Sequence, residues 1–73
     1  MKQAWEDLAN AVVAQAAEDW KRARRLLRIN PDHEGAKRML RDTERFFRSA
    51  WYRRLTDINP EYLVRKLKEE IGE

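Results

Sequence analysis

The chain has no cysteine, one histidine, two glycines and two prolines among its 73 residues, and each scarcity excludes something. Without cysteine there are neither disulfides nor thiolate metal sites, which suits a reducing compartment. One histidine cannot supply a set of nitrogen ligands, so a transition metal would have to be held by carboxylates alone. No glycine-rich loop is present to cradle a phosphate. Long hydrophobic runs are missing too: the longest near-apolar stretch, 11–17, includes Gln15, well short of the roughly twenty residues that cross a bilayer. Met1-Lys2-Gln3 leads directly into Trp5, Glu6 and Asp7, unlike a secretory leader, so the expected location is the cytoplasm.

What is present argues for a packed fold. Asp, Glu, Lys and Arg make up 40% of the chain, enough for disorder, but three Trp, two Tyr and two Phe accompany a regular aliphatic pattern. A chain of this length is one domain and buries little surface. With disulfides and metals excluded, a second copy is the remaining source of stability, and a homo-oligomer is expected. The net charge is only +3, yet eleven of the sixteen cations are arginine, whose planar fork suits carboxylates, phosphates and aromatic faces.

Periodicity gives the elements. Apolar residues recur at Trp5, Leu8, Ala9, Val12, Val13, Ala16, Trp20, Ala23 and Leu27 with neither Pro nor Gly between residues 4 and 28, which predicts one long amphipathic helix over 4–28. Asn30-Pro31-Asp32 reads as N-cap, first helical residue and dipole-compatible acid, opening a helix over 31–48 with a stripe of Ala36, Met39, Leu40, Thr43, Phe46 and Phe47. Ser49 can cap a short helix over 50–56, or one helix can run unbroken through 31–56. Asn59-Pro60 repeats the cap grammar for a helix over 60–71, with Ile58 and Leu63 placed as a hydrophobic staple. Arg65 and Glu69, and Lys66 and Glu70, stand four apart as ion pairs. Nowhere do apolar and polar residues alternate over five positions. The expected fold class is all-α, a small bundle of three to four helices with a long first helix, forming one domain over 1–73. The first helix would be about 37 Å long against roughly 18 Å for the last. Its Trp5, Leu8 and Val12 therefore extend beyond what the later helices can cover.

The segment 24–32 matches 53–61 at an offset of 29, either a repeated hairpin or the same helix–turn–helix punctuation used twice. Ala16, Trp20, Ala23, Leu27, Asn30-Pro31-Asp32-His33 and Ala36 to Leu40 resemble the inter-repeat junction of tetratricopeptide proteins, helical-pair arrays that bind peptides in a concave groove. Such arrays need about three repeats of about 34 residues, so the likeness is read as shared hairpin chemistry. A second resemblance covers 11–70. Val12-Val13-Ala14-Gln15-Ala16, Asp19-Trp20, Glu44-Arg45-Phe46-Phe47-Arg48-Ser49, Trp51, Leu55-Thr56-Asp57 and Tyr62-Leu63 resemble small proteins encoded in prophages of Gram-positive bacteria. That family has no assigned activity; its members carry glycine where this chain has Pro60. The resemblance implies a phage-accessory setting, in the host cytoplasm, and lends no site residue.

Two arginine clusters are the candidate contact groups. Lys21, Arg24, Arg25 and Arg28 form a stripe at the end of the first helix, suited either to phosphates or simply to the helix C-terminal dipole. Arg45, Arg48, Arg53 and Arg54 interleave with Phe46, Phe47, Trp51 and Tyr52, a mixture that single-stranded nucleic acid or an aromatic-rich protein surface can use. At least two of Phe46, Phe47 and Trp51 are expected in the core. The partner-binding set is then Arg24, Arg25, Arg28, Arg48, Tyr52, Arg53 and Arg54. A recognition helix over 60–68 presenting Arg65, Lys66 and Lys68 is a weaker alternative, diluted by Glu61, Glu69 and Glu70. His33 has no nucleophile near it in sequence, and the acidic pairs Glu6-Asp7 and Glu18-Asp19 have no matching carboxylates for a metal. No catalytic, cofactor or metal residue is assigned. The expectation is a non-enzymatic interaction protein that modulates a host or phage macromolecule, such as an inhibitor of a defence nuclease. A protein is the first choice of partner, and a small basic nucleic-acid-binding protein is the alternative.

Overall fold

The computed structural model describes residues 2–73, with side chains from residue 4 onward; Met1, the first residue of the expected domain, lies outside the described residues. Four helices follow in order: α1 (Lys2–Ile29), α2 (Glu34–Phe47), α3 (Ala50–Leu55) and α4 (Pro60–Glu70). No strand occurs among the described residues. The fold is all-α, a small bundle built on a long first helix, as the periodicity predicts.

The helix over 31–48 begins later than expected. Asn30 is not its N-cap, and Pro31 is not its first residue. Asn30 Oδ1 accepts the Asp32 N–H at 3.1 Å, and the Asn30 carbonyl accepts the His33 N–H at 3.0 Å. Residues 30–33 are therefore a tight turn with Asn first and Pro second. His33 is the cap: its Nδ1 accepts the Ala36 N–H at 3.0 Å. At the second junction Asn59 caps as expected, with Oδ1 accepting from Glu61 and Tyr62 at 2.8 and 3.3 Å ahead of Pro60. The two matching segments thus use Asn-Pro differently. α1 runs up to Asn30, so Asn-Pro must reverse the chain itself; Thr56 to Ile58 make the reversal before Asn59.

The open question over 31–56 is settled as two helices. Ser49 leaves helical geometry (φ −81°, ψ 159°), donates to the Phe46 carbonyl at 2.6 Å and accepts the Tyr52 N–H at 3.1 Å. One hydroxyl closes α2 and opens α3. Gly72 ends α4 with φ 77°, the left-handed step of a Schellman turn in which Gly72 N–H bonds to Glu69 and Glu73 N–H to Lys68.

The core contains Ala9, Val13, Ala17 and Trp20 of α1, Phe47 of α2, Tyr52 and Leu55 of α3, and Leu67 and Ile71 at the end of the chain. Small residues on α1 and the buried Ala36 and Thr43 of α2 let these two helices pack closely. Thr43 satisfies its hydroxyl on the Met39 and Leu40 carbonyls. Phe46, Phe47 and Tyr52 meet pairwise with ring centroids 5.7–5.9 Å apart, within the range where aromatic pairs add stability. Phe47 is buried and Phe46 partly so, whereas Trp51 is half exposed and lies edge-on to Trp5 at 6.4 Å. α3 therefore reaches the N-terminal half of α1, which was expected to lack cover, but leaves Trp5 and Leu8 about half exposed.

Candidate interaction surface

Tyr52 must be removed from the expected contact set. Only 1% of it is exposed, and its hydroxyl donates to the Ile58 carbonyl at 2.9 Å, pinning the loop between α3 and α4. Burial pushes the phenol pKa up. The reason is local: Ser49 caps α3 by accepting the Tyr52 N–H, and that start sets the Tyr52 ring against Phe46 and Phe47.

Arg24 and Arg28 are also occupied. The Schellman turn at Gly72 swings Glu73 back onto α1, where it accepts from both arginines, and Arg28 also donates to the Ile71 carbonyl. The Arg24 hydrogen bonds hold the Glu73 carboxyl below its usual range. Arg24 further lies over the Trp20 ring at 5.5 Å. Lys21 bridges Glu18 and Glu70 at 2.9 Å each, and the Glu70 bond is the main cause of its raised pKa. Glu70 thus serves α1, and Lys66 pairs instead with Glu69 at 3.4 Å, so neither expected i,i+4 pair on α4 forms. The stripe at the end of α1 is largely the dock for the C-terminal end of α4. Arg25 of that stripe is exposed and carries no ion pair among the described residues.

The remaining arginines come together elsewhere. One groove is lined by Leu27, Lys37, Leu40, Arg41, Glu44, Arg45 and Arg48, and a second by Arg24, Glu44, Phe47, Arg48, Arg53, Pro60, Glu61, Val64, Arg65 and Lys68. Both share Glu44 and Arg48, so they form one band that runs along α2 and crosses to α3 and α4. Arg41, Arg45, Arg48, Arg53, Arg65 and Lys68 form no ion pair among the described residues, while Glu44 is engaged by the Trp20 indole N–H at 3.4 Å. The structure joins Arg48 and Arg53 of the expected set to Arg65 and Lys68. It leaves Arg54 exposed outside the grooves. Sequence reasoning missed Lys37 and Arg41, although Lys37, Arg41 and Arg45 recur every fourth residue, a visible one-face pattern.

A floor of half-buried Leu40 and Val64 beside buried Phe47, under a rim of guanidinium groups, can hold a ligand carrying both carboxylates and apolar groups. His33 offers little chemistry, because its Nδ1 is committed to the cap. Among the described residues no group of three or more His, Cys, Asp or Glu could hold a metal ion, and no helix is long and apolar enough to cross a membrane. Comparison with protein-family models, curated proteins and solved structures finds no match to this chain.

Proposed function

We propose that this chain is a non-enzymatic helical interaction protein of phage or prophage origin, self-associated in the host cytoplasm, that binds an acidic surface of a protein partner through the basic band. An inhibitor of a host defence system is one role that such binding would serve. The observation that carries the reading is the band itself: six arginine or lysine side chains without an ion pair among the described residues, gathered from three helices around a partly apolar floor. Cations spread for solubility alone would not converge on one groove system, and their mutual repulsion is relieved when carboxylates enter. The resemblance to prophage proteins supports the setting. The same spacing of cations also favours a second reading, a nucleic-acid backbone laid along the band.

The test is capture from host lysate with the full chain, with and without nuclease, beside a variant carrying Arg41→Gln, Arg48→Gln, Arg53→Gln and Arg65→Gln. The expected result is capture that survives nuclease and is lost in the variant while its melting temperature stays within a few degrees. Capture abolished by nuclease, with affinity falling steeply between low and moderate salt, would establish the nucleic-acid reading. Capture unchanged in the variant would remove the band from the function.

A further inference from the structure

α1 carries a second stripe, apolar at both ends, that its own bundle covers only in part: Val12 packs against the core and Trp5 against Trp51, and the rest is left exposed or half-buried. Trp5, Leu8, Val12, Gln15, Asp19, Arg22, Leu26 and Ile29 follow one another at alternating steps of three and four, the spacing of a coiled-coil seam. None of the eight is buried, whereas Ala9, Val13, Ala17, Trp20 and Ala23 beside them are. Trp5, Leu8 and Ile29 are 48%, 57% and 84% exposed, three of the six large exposed hydrophobics among the described residues. The middle of the stripe lies in an apolar groove formed with Asp42, Thr43 and Phe46 of α2, and Trp51 extends it at the Trp5 end.

We infer that this stripe is the seam of a homodimer in which two α1 helices pack antiparallel, each lying in the groove between α1 and α2 of the other copy. The inference rests on the reading of the chain as self-associating and specifies how. Three features identify the occupant as a second copy. First, the seam is complementary to its own reverse. Antiparallel pairing about residue 17 sets Trp5 on Ile29, Leu8 on Leu26, Val12 on Arg22 and Gln15 on Asp19, so apolar ends meet apolar ends. Gln15 already donates to Asp19 within one helix at 3.0 Å, and the polar layer they form at the centre fixes the register.

Second, α1 is divided by charge. From Ala4 to Asp19 it has Glu6, Asp7, Glu18 and Asp19 and no cation; from Trp20 to Ile29 it has Lys21, Arg22, Arg24, Arg25 and Arg28 and no acid. Antiparallel packing opposes the two helix dipoles, while parallel packing would lay like on like; with Lys21, Arg24 and Arg28 paired within one copy, Arg22 and Arg25 are the cations of the basic half that face the acidic half of the other. Third, the molecule is 43 Å along its longest axis against 22 and 18 Å across, so a seam along α1 uses the long dimension that an interface of roughly 800 Å² per partner needs. The pairing is isologous, as a two-fold dimer requires.

The absence of cysteine makes the test clean. Sedimentation of the full chain is expected to show a dimer, and Leu8→Glu with Ile29→Glu, both exposed in the monomer, is expected to weaken it at least about tenfold with helix content unchanged by circular dichroism. Leu8→Cys combined with Leu26→Cys is expected to oxidise to a covalent dimer. Leu8→Cys alone is expected not to, because antiparallel register holds the two copies of residue 8 about 27 Å apart. A monomer at high concentration overturns both the seam and self-association. A dimer that cross-links through Leu8→Cys alone, or that persists in the double Glu variant, overturns this seam and leaves self-association standing.

Discussion

Replacing Tyr52 separates a structural role from a binding role in one experiment. The Tyr52→Phe variant keeps the ring between Phe46 and Phe47 and removes only the hydroxyl, which donates to the Ile58 carbonyl at 2.9 Å. A hydrogen bond of this kind contributes about 1 kcal/mol, and because Ile58 is half exposed its carbonyl can regain water, which keeps the loss at that level. For a domain of this size roughly 1 kcal/mol lowers the melting temperature by about 4–8 °C. The Tyr52→Ala variant also removes the ring, at about 3–5 kcal/mol, a large share of the roughly 4–11 kcal/mol that a chain of this length is expected to have. Its melting temperature should fall by about 15 °C or more. Burial raises the phenol pKa above its ordinary value of 10.0, so the neutral form is favoured by folding. That contribution is complete below pH 10.0 and disappears as pH rises through the folded-state value. Thermal melts by circular dichroism from neutral to alkaline pH should therefore show a gap between wild type and Tyr52→Phe that closes at high pH. An unchanged melting temperature in Tyr52→Phe, with partner capture lost, would refute the argument and return Tyr52 to the surface.

Trp20→Ala should cost about 3 kcal/mol or more, since the ring is fully buried, bonded to Glu44 and overlaid by Arg24; a melt within a few degrees of wild type would contradict this. Glu73→Gln should lower stability by about 1 kcal/mol at neutral pH through loss of the Arg24 and Arg28 pairs. Because the Glu73 pKa is lowered, chiefly by Arg24, its contribution is present above the ordinary 4.5 and is lost as pH falls through the lower folded value, so the two melting curves should converge on acidification. Gly72→Ala should cost about 1 kcal/mol of backbone strain at φ 77°, with no steric clash, because the space around a Cβ there is open; equal stability would show that the left-handed step is dispensable. His33→Ala should cost about 1 kcal/mol by removing the α2 cap, and His33→Asp should restore it; equal stability of all three would remove the histidine from capping.

Fold class and helix order were legible because the apolar spacing of α1, α2 and α4 admits no strand, and Asn59 acts as the local grammar predicts; helix number was left open at 31–56, because Ser49 can cap a new helix or be carried inside a continuous one. The start of α2 was not legible, because the same Asn-Pro pair serves as a turn or as a cap according to what precedes it. At residue 30 that is an unbroken helix, and at residue 59 a three-residue loop. The candidate surface was half legible. Arg48 and Arg53 emerge from their interleaving with aromatics, but the convergence of Arg41, Arg45, Arg65 and Lys68 on them depends on where α4 docks. Nothing local reveals that Glu73, well separated from α1 in sequence, reaches Arg24 and Arg28.

That long-range pairing decides which arginines are available. Clustered cations at the end of one helix gain from the helix dipole but repel one another, so a stripe of four looks surplus to folding and invites a functional reading. Once Glu70 and Glu73 arrive from α4, Lys21, Arg24 and Arg28 are matched, and Arg28 also satisfies a terminal carbonyl. The stripe then stabilises the return of α4, and the surplus moves to α2, α3 and α4, where six cations line grooves with only Glu44 and Glu61 and form no ion pair among the described residues. α2 separates that band from the partly exposed seam of α1: Lys37, Arg41, Arg45 and Arg48 line one side, Asp42 and Phe46 the other. Pairing along the seam therefore leaves the basic band of each copy open, and a dimer would present two such bands to a partner, each reinforcing the other's hold when both can reach their sites.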